Sequence, residues 1–411
     1  MNSEHNVFVK LINKIKKHLA PFLAGMIAMA AILAVIGIIW WNLPQILSPG
    51  DPVSLGTLKK VKEMEAIIDR KYFDQVDEQQ QTDMMLKGLV SGLDDKYSTY
   101  YTKDEYEAIA MQNDGQMKGI GIIYTQDGET GEIVLTGVLE GSPAEEAGMA
   151  KGDVILSVNG TTVDGLTTDE VSALVQQSET DEIVLSVLKG GEGDPVDVTM
   201  TKRAIDTKSA DGIMLDEENG NDTGYKIGYI HLTGFTRLTA EQFGEAYTNL
   251  REEGCEGLII DLRGNPGGLV DACCDTLSLF MPEGPLVYEV DKGEPERSRD
   301  CEGESPIDIP LVLLVNENTA SAAEIFTGAV QDAGIATVIG TTTYGKGVEQ
   351  NSYRLSDGSV LKITTTHYYT PAHRDINGVG ITPDIEVEIG DDAETDAQFE
   401  KALDTLADEL K

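Results

Sequence analysis

The chain has 411 residues, of which 41% are apolar, and a formal net charge of −40 at pH 7. A chain of this length predicts two or three folded units, each with its own core. Because so large a negative charge repels phosphate groups, nucleic acid is excluded as a partner.

An uncharged apolar run from Leu19 to Trp41 is long enough to cross a hydrocarbon core of about 30 Å. Four lysines precede it, and two tryptophans stand at its far end, where aromatic rings favour the membrane interface. This pattern predicts a cytoplasmic basic tail over residues 1–18 and a single-pass anchor over residues 19–41, with the remainder extracytoplasmic. A cleaved signal peptide is the alternative, although its apolar region is normally about 7–15 residues long.

Residues 42–100 are predicted to form a linker and a helical arm. Three prolines between Asn42 and Pro52 stiffen the linker. Apolar residues then recur at helical spacing from Leu58 to Ile68 and from Met84 to Val90. A spacer, a pro-segment and a contact in a homodimer are all open as roles for this arm.

Residues 101–204 show short apolar runs between glycine turns, which predicts a small β-rich domain. Its segment from Gly141 to Gly160, GSPAEEAGMAKGDVILSVNG, resembles the core signature of PDZ domains. In those domains a glycine-rich loop offers backbone N–H groups to the terminal carboxylate of a peptide, which adds as an extra strand. By that resemblance the carboxylate loop consists of Lys118, Gly119, Ile120 and Gly121.

Residues 205–390 alternate strands and helices. The predicted strands cover 225–232, 257–262, 309–315 and 336–339, and the predicted helices cover 239–252, 269–280 and 320–331. Continuous apolar strands such as Leu311–Val315 fit a sheet that is buried on both faces, so the pattern predicts an α/β core. Residues 391–411 are predicted to end the chain with an acidic amphipathic helix.

The first candidate for chemistry is Ser321. A buried strand is predicted to end at Val315, and after a short polar turn a helix begins near the serine. This arrangement lifts the hydroxyl to the rim of the sheet and aims free helix N–H groups at whatever the hydroxyl attacks. A lone serine is more often only a helix cap.

The second candidate is Lys346, which stands between two glycines directly after another buried strand. A lysine acts as a general base only if desolvation lowers its pKa toward the working pH. The segment GTTTYGKG also approaches a phosphate-binding loop, but Gly347 occupies the position where Ser or Thr must reach Mg²⁺. The nucleotide-binding interpretation is therefore rejected.

These motifs together resemble the C-terminal processing peptidases, also called tail-specific proteases. The resemblance covers roughly Leu55 to Val387 and includes the PDZ-like core, the segment DLRGNPGG at residues 261–268, and the segment YGKGVEQ that ends at residue 350. It implies a crotonase/ClpP-like α/β core with an inserted PDZ domain. It also implies Ser321 as nucleophile, Lys346 as general base and Gln350 as the residue that orients the lysine. The implied oxyanion hole consists of backbone N–H groups of Ala322 and of Gly267 or Gly268.

The function implied is that of a membrane-anchored serine endopeptidase that binds protein C-termini and forms an acyl-enzyme, with no metal or cofactor. Three other functions stay open: a catalytically silent PDZ scaffold, a crotonase-like enzyme for small acyl groups, and a Ser-His-Asp peptidase that uses His367 or His373. A zinc peptidase is not expected, because no His-Glu-x-x-His segment is present. The four cysteines suit either buried thiols or a disulfide.

Overall fold

The computed structural model describes residues 26–37, 54–128, 130–178, 180–388 and 396–411. The chain divides into two units, Met1–Met84 and Met85–Lys411. In the first unit, helix α1 covers residues 26–37 and helix α2 is Leu55–Lys71. Helix α3, Glu78–Ser91, begins in the first unit and ends in the second.

The prediction of a single-pass membrane protein is wrong for the part of the chain that the structure describes. Of the predicted anchor, residues 26–37 form a helix. No helix within the described ranges is long and apolar enough to cross a membrane. Residues 1–25 and 38–53, which hold the basic tail and the rest of the anchor, lie outside the described residues.

Helix α2 has no buried residue, although it carries apolar side chains at helical spacing. Leu55, Leu58, Met64 and Ile67 each expose two fifths or more of their surface. The helix begins at Ser54, whose hydroxyl accepts the Thr57 N–H at 3.3 Å. The predicted contact between two copies of the arm stays a prediction.

Three elements precede the β-rich domain: β1, Thr99–Tyr101; α4, Lys103–Asn113; and β2, Gln116–Gly119. The domain itself contains β3, Ile122–Gln126; β4, Ile133–Val138; α5, Pro143–Glu146; β5, Val154–Val158; β6, Thr161–Thr162; α6, Thr168–Gln176; β7, Glu182–Leu188; and β8, Val196–Thr201. Its antiparallel sheet has the order β3-β4-β5-β7-β8 and a core of its own around Ile133, Ile155 and Leu185. Strand β9, Arg203–Asp206, returns antiparallel to β2, so the chain enters and leaves the domain at one place.

The remaining elements follow in chain order: β10, Ala210–Met214; β11, Ile227–Leu232; α7, Thr239–Glu252; β12, Gly257–Asp261; α8, Val270–Ser278; β13, Gly284–Asp291; β14, Arg297–Cys301; β15, Leu311–Val315; α9, Ala322–Asp332; β16, Thr337–Gly340; β17, Val348–Arg354; β18, Val360–Tyr369; β19, Ile385–Glu386; and α10, Ala397–Glu409.

The main sheet has the order β10-β11-β12-β15-β16-β19, and its strands are parallel from β11 onward. Every residue of β12 and β15 is buried, because helices cover both faces. Ile260 and Leu313 belong to the core that also contains side chains of α7, α8 and α9. Their neighbours Ile259 and Val312 belong to the opposite core, which α10 completes. This α/β layering places the carboxyl ends of β12, β15 and β16 along one edge.

A second, antiparallel sheet has the order β1-β18-β13-β14, with β17 also paired to β18. Strand β1 pairs with the start of β18, and the Thr364 N–H donates to the Ser98 hydroxyl at 3.1 Å. This bond fixes the turn before β1, residues 94–98, to β18. This second sheet was not predicted from the sequence.

Candidate active site

Three loops meet at the carboxyl edge of the main sheet: residues 262–268 after β12, 316–321 after β15 and 341–347 after β16. Asn265 is fully buried between the first two. Its amide oxygen accepts the Gly267 N–H at 2.8 Å, and its backbone carbonyl accepts the Ala320 N–H at 2.9 Å. These bonds fix the glycine loop against the turn that carries Ser321.

Ser321 immediately precedes helix α9 and has φ 59° and ψ −120°. A positive φ in a residue other than glycine stores about 1–3 kcal/mol of strain, which only a well-determined surrounding structure sustains. The side chain is only partly buried. The turn therefore presents the Ser321 hydroxyl at the first N–H groups of α9.

The fully buried carboxylate of Glu324 joins the serine turn to the lysine loop. One oxygen, Oε2, accepts the Ser321 N–H at 2.9 Å and the Lys346 N–H at 2.8 Å. The other, Oε1, accepts the Gly345 N–H at 2.7 Å and the Thr343 hydroxyl at 2.6 Å. Four donors thus satisfy one buried charge, and the two loops are held to a single side chain.

The pKa of Lys346 is lowered from its ordinary value to about 8. Burial is the main cause, and the positive charge of Lys362 adds to it. The carboxylates of Glu324, Asp95 and Glu349 oppose the shift. Near neutral pH an appreciable fraction of this lysine is therefore uncharged and able to accept a proton.

Tyr368 on β18 is buried behind the two candidate residues. Its hydroxyl donates to the Lys346 carbonyl, and the Ser321 side chain lies near enough to influence its pKa. Burial raises the pKa of this phenol well above its ordinary value, so it remains a neutral donor. Tyr368 is a second link between the serine turn and the lysine loop.

The side chains of Ser321 and Lys346 are not hydrogen-bonded to each other in the part of the chain that the structure describes. Catalytic hydrogen bonds are often long before substrate binds and tighten only in the complex. Gln350 uses its amide N–H groups on the Thr364 hydroxyl, at 3.1 Å, and on the Val348 carbonyl. Within the described ranges it makes no hydrogen bond to Lys346.

The three residues predicted for the oxyanion hole lie beside Ser321 or in the loop that packs on it. A Cβ on Gly267 would stand 2.8 Å from Ser321 Cβ and 2.9 Å from the Ala322 nitrogen, so only glycine fits there. The Gly267 N–H already donates to Asn265. Among the described residues no hydrogen bond uses the N–H of Gly268 or of Ala322.

An open cleft of ≈ 630 Å³ lies in front of these loops. It is lined by Tyr97, Gly264, Pro266, Asn318, Ala320, Tyr344 and Lys346. The Lys346 ammonium nitrogen lies 4.8 Å from the centroid of the Tyr97 ring. The turn before β1 therefore supplies one wall of the cleft.

The predicted carboxylate loop lies between β2 and β3. Lys118 and Gly119 end β2, and the Lys118 ammonium pairs with Asp181 at 2.7 Å. Ile120 is buried, and Gly121, at φ 80°, packs so closely on Ser142 that a Cβ would stand 2.2 Å from it. Within the described ranges no hydrogen bond uses the N–H of Ile120 or Gly121, and both residues are buried.

Residues 226–387 match the family described as Peptidase family S41, and residues 134–189 match a PDZ domain. Residues 48–105 match the N-terminal domain of the activating protease CtpB. A carboxyl-terminal-processing protease of Synechocystis sp. is 35% identical over 333 residues, which cover 80% of this chain and 77% of that protein. The chain belongs to the carboxyl-terminal-processing protease family. It is a serine-type peptidase with a PDZ domain.

Other relatives of this carboxyl-terminal-processing protease agree. A probable CtpA-like serine protease of Staphylococcus aureus is 32% identical over 370 residues, covering 89% of this chain and 71% of that protein. A putative S41 protease from Bacteroides fragilis has the same fold, with a TM-score of 0.53 and 18% identity over 82% of this chain and 92% of that one. The predicted family and the predicted serine-type peptidase are thus confirmed.

Glu324, Tyr368 and the turn at residues 94–98 were not among the site residues predicted from the sequence. Glu324 stands three residues after Ser321, which is the spacing of a capping box and could have drawn attention to it. Nothing in the sequence signals Tyr368 or Tyr97, because both reach the site through the unpredicted second sheet.

The two histidines considered for a triad have other surroundings. His373 stacks on Tyr288 at 4.1 Å between ring centroids, and its Nε2 lies 3.2 Å from Glu296. His367 is exposed on β18. In the described part of the chain neither bonds to Ser321. The four cysteines are buried free thiols, and the Cys273 thiol donates to the Ala322 carbonyl at 3.1 Å.

Proposed function

We propose that this protease cleaves peptide bonds with Ser321 as nucleophile and Lys346 as general base, on protein substrates whose C-termini bind the loop Lys118–Gly121. The observation that carries the proposal is the buried Glu324 carboxylate, which binds the backbone N–H groups of both residues. A lysine whose pKa is about 8 lies beside a strained, partly exposed serine at this joint. Neither feature is needed for a helix cap.

In the proposed mechanism, neutral Lys346 Nζ accepts the proton of Ser321 Oγ as that oxygen bonds to the substrate carbonyl carbon. The carbonyl oxygen becomes an oxyanion, for which the free N–H groups of Ala322 and Gly268 and the positive end of helix α9 are suitable partners. The C–N bond then breaks, and the Lys346 ammonium protonates the leaving nitrogen. Water repeats the sequence on the acyl-enzyme and releases the acid.

Tyr368 and Gln350 are proposed as positioning residues. The Tyr368 hydroxyl bonds to the Lys346 carbonyl and contacts the Ser321 side chain, so it favours one arrangement of the pair. The Gln350 amide oxygen makes no hydrogen bond within the described ranges and is proposed to accept one from Lys346, while its N–H groups already have acceptors.

The preference for substrate C-termini rests on the carboxylate loop and on the name of the Synechocystis relative, a carboxyl-terminal-processing protease. The free N–H groups of Ile120 and Gly121 suit a carboxylate, and β3 offers an edge to a peptide strand.

The test is digestion of casein and of tagged peptides by purified protein over a range of pH. About a tenth of Lys346 is neutral at pH 7 and about half at pH 8, so turnover should rise through this range. Ser321→Ala and Lys346→Met should each abolish cleavage, because each removes one member of the pair. Lys346→Arg should abolish it too, since guanidinium does not give up its proton. The Ser321→Ala/Lys346→Met double variant should lose little more than either single variant.

His367→Ala and His373→Ala are the controls and should keep most of the activity. If Lys346→Met cleaves at the wild-type rate while a histidine variant is dead, a Ser-His centre replaces the proposed pair. If Ser321→Ala is fully active, the site lies elsewhere.

A further inference from the structure

An exposed lysine lies between two tyrosines at the wall of the cleft. Lys96 belongs to the turn between α3 and β1, and its ammonium nitrogen lies 4.8 Å from the ring centroids of both Tyr97 and Tyr344. It also donates to the Tyr344 hydroxyl at 2.8 Å. Both tyrosines line the cleft together with Lys346.

The charge of Lys96 is not neutralised by the protein. No carboxylate of the described residues lies within 4.0 Å of its ammonium group, whereas Lys87 and Lys118 nearby in the sequence both have acidic partners. Hydrogen bonding to the Tyr344 and Tyr97 hydroxyls raises the Lys96 pKa, so the group stays protonated.

Lys96 also lies close to the proposed catalytic base. The Lys346 nitrogen and the Lys96 nitrogen are each 4.8 Å from the centroid of the same Tyr97 ring. They are therefore no further apart than twice that distance. Because an extended chain advances about 3.3–3.6 Å per residue, a group bound to Lys96 belongs to a residue within about three positions of the attacked bond.

We propose that Lys96, held by Tyr97 and Tyr344, is a subsite for a substrate carboxylate close to the scissile bond. The inference rests on the proposed function, since it takes the cleft at Ser321 and Lys346 as the place of cleavage. The ammonium group supplies the charge, and the two tyrosine rings fix its position. The carboxylate comes either from an acidic side chain or from the free C-terminus of the substrate.

The net negative charge of the protein makes a local cation useful for binding an acidic substrate. A net charge of −40 repels acidic substrates at long range, and salt screens that repulsion beyond about 8–10 Å. A cation within the cleft attracts an acidic substrate segment at short range, although the net negative charge of the protein repels that segment at long range. Where the carboxylate belongs to a side chain, substrate choice at the cleft is separate from capture of the C-terminus by the PDZ loop.

The test uses internally quenched peptides of one length with Glu scanned across three positions on each side of the cleaved bond. Each peptide is paired with a Gln version, and each is made with a free and with an amidated C-terminus. For the best position, kcat/KM of the wild type should favour Glu roughly two- to five-fold, the range of an exposed ion pair. The preference should fall as salt is added.

Lys96→Met should abolish this preference, and Lys96→Glu should reverse it. Lys151→Met removes an exposed lysine from a turn of the PDZ domain and should leave the preference intact. For each peptide, the ratio of the wild-type kcat/KM to the Lys96→Met kcat/KM separates the two sources of the carboxylate. Amidation weakens binding at the PDZ loop equally in both proteins, so that effect cancels in the ratio. A ratio that depends on Glu identifies a side chain, and one that depends only on the free acid identifies the C-terminus.

The rival explanation is that Lys96 only fastens the turn at residues 94–98 to Tyr344. In that case Lys96→Met lowers the melting temperature and leaves the Glu and free-acid preferences unchanged, which would refute the subsite. A second measurement needs no turnover: Ser321→Ala should bind the amidated Glu peptide more tightly than its Gln partner, and Lys96→Met should remove the difference. Full activity of Ser321→Ala would instead refute the proposed function and leave this binding result to be judged separately.

Discussion

Replacing Glu324 by Gln removes one acceptor from the joint between the serine turn and the lysine loop. The carboxylate accepts four hydrogen bonds, and a glutamine side chain has a single oxygen to accept them. The least damaging orientation places the new NH₂ group toward Thr343, whose hydroxyl can rotate to accept. The Gly345 N–H then faces a donor and stays unpaired.

An unpaired buried donor costs about 1–3 kcal/mol, and no water-exposed route relieves it because Glu324 is fully buried. We therefore expect the free energy of unfolding of Glu324→Gln to fall by about that amount in urea titrations followed by circular dichroism. Glu317→Gln is the matched control, since Glu317 is exposed on the same edge and bonds only to neighbouring side chains. Its effect should stay within about 0.5 kcal/mol.

The same substitution has a second, opposite signature in catalysis. The Glu324 charge raises the pKa of Lys346, so its removal lowers that pKa further. The acid limb of the pH–rate profile should move to lower pH, while kcat falls because the loops are no longer held together. An unfolding free energy equal to that of the wild type would refute the joint, and an acid limb that moves to higher pH would refute the electrostatic argument.

Three further outcomes are expected. Lys362→Met removes a positive charge that lowers the Lys346 pKa, so the acid limb of the pH–rate profile should move to higher pH; an unchanged profile would contradict this. Gly268→Ala brings a Cβ to 2.1 Å from the Phe235 carbonyl oxygen and should abolish casein cleavage, whereas Gly334→Ala, also at positive φ but with no atom within 4 Å, should keep it. In Gly121→Ala the new Cβ clashes with Ser142, so binding of free-acid peptides should weaken at least ten-fold in a fluorescence anisotropy titration. Amidation of the peptide should weaken binding to the wild type by a similar factor. Gly160→Ala is the control, since no atom lies within 4 Å of its new Cβ.

The sequence predicted the main sheet well because its strands are buried on both faces. A strand such as Leu311–Val315 is apolar throughout, and the helix predicted over 239–252 coincides with α7 because its apolar side chains recur with a helical period. The strand boundaries differ by one or two residues. At β12, for example, the prediction ran on to the apolar Leu262, whereas the strand ends at Asp261.

The second sheet could not be predicted in the same way. Strand β17, Val348–Arg354, is mostly exposed or half-buried and carries mixed polar residues, so it has no clear alternation. Strand β1 has three residues and pairs with β18 across more than 250 positions of sequence. Contacts of that range depend on tertiary structure, and they are the contacts that bring Tyr97 and Tyr368 to the site.

The candidate site shows why a lysine base needs more than burial. Glu324 is required to hold two loops together, yet its charge stabilises the protonated form of Lys346, as do Asp95 and Glu349. Burial of Lys346 destabilises the protonated form, and repulsion from the positive charge of Lys362 on β18 destabilises it further. The resulting Lys346 pKa of about 8 is a balance between two effects. The carboxylate that holds the loops together favours the protonated lysine, and burial favours the neutral one. A glycine-flanked lysine in the sequence indicates the base, but only the fold places the second lysine that shifts this balance toward catalysis.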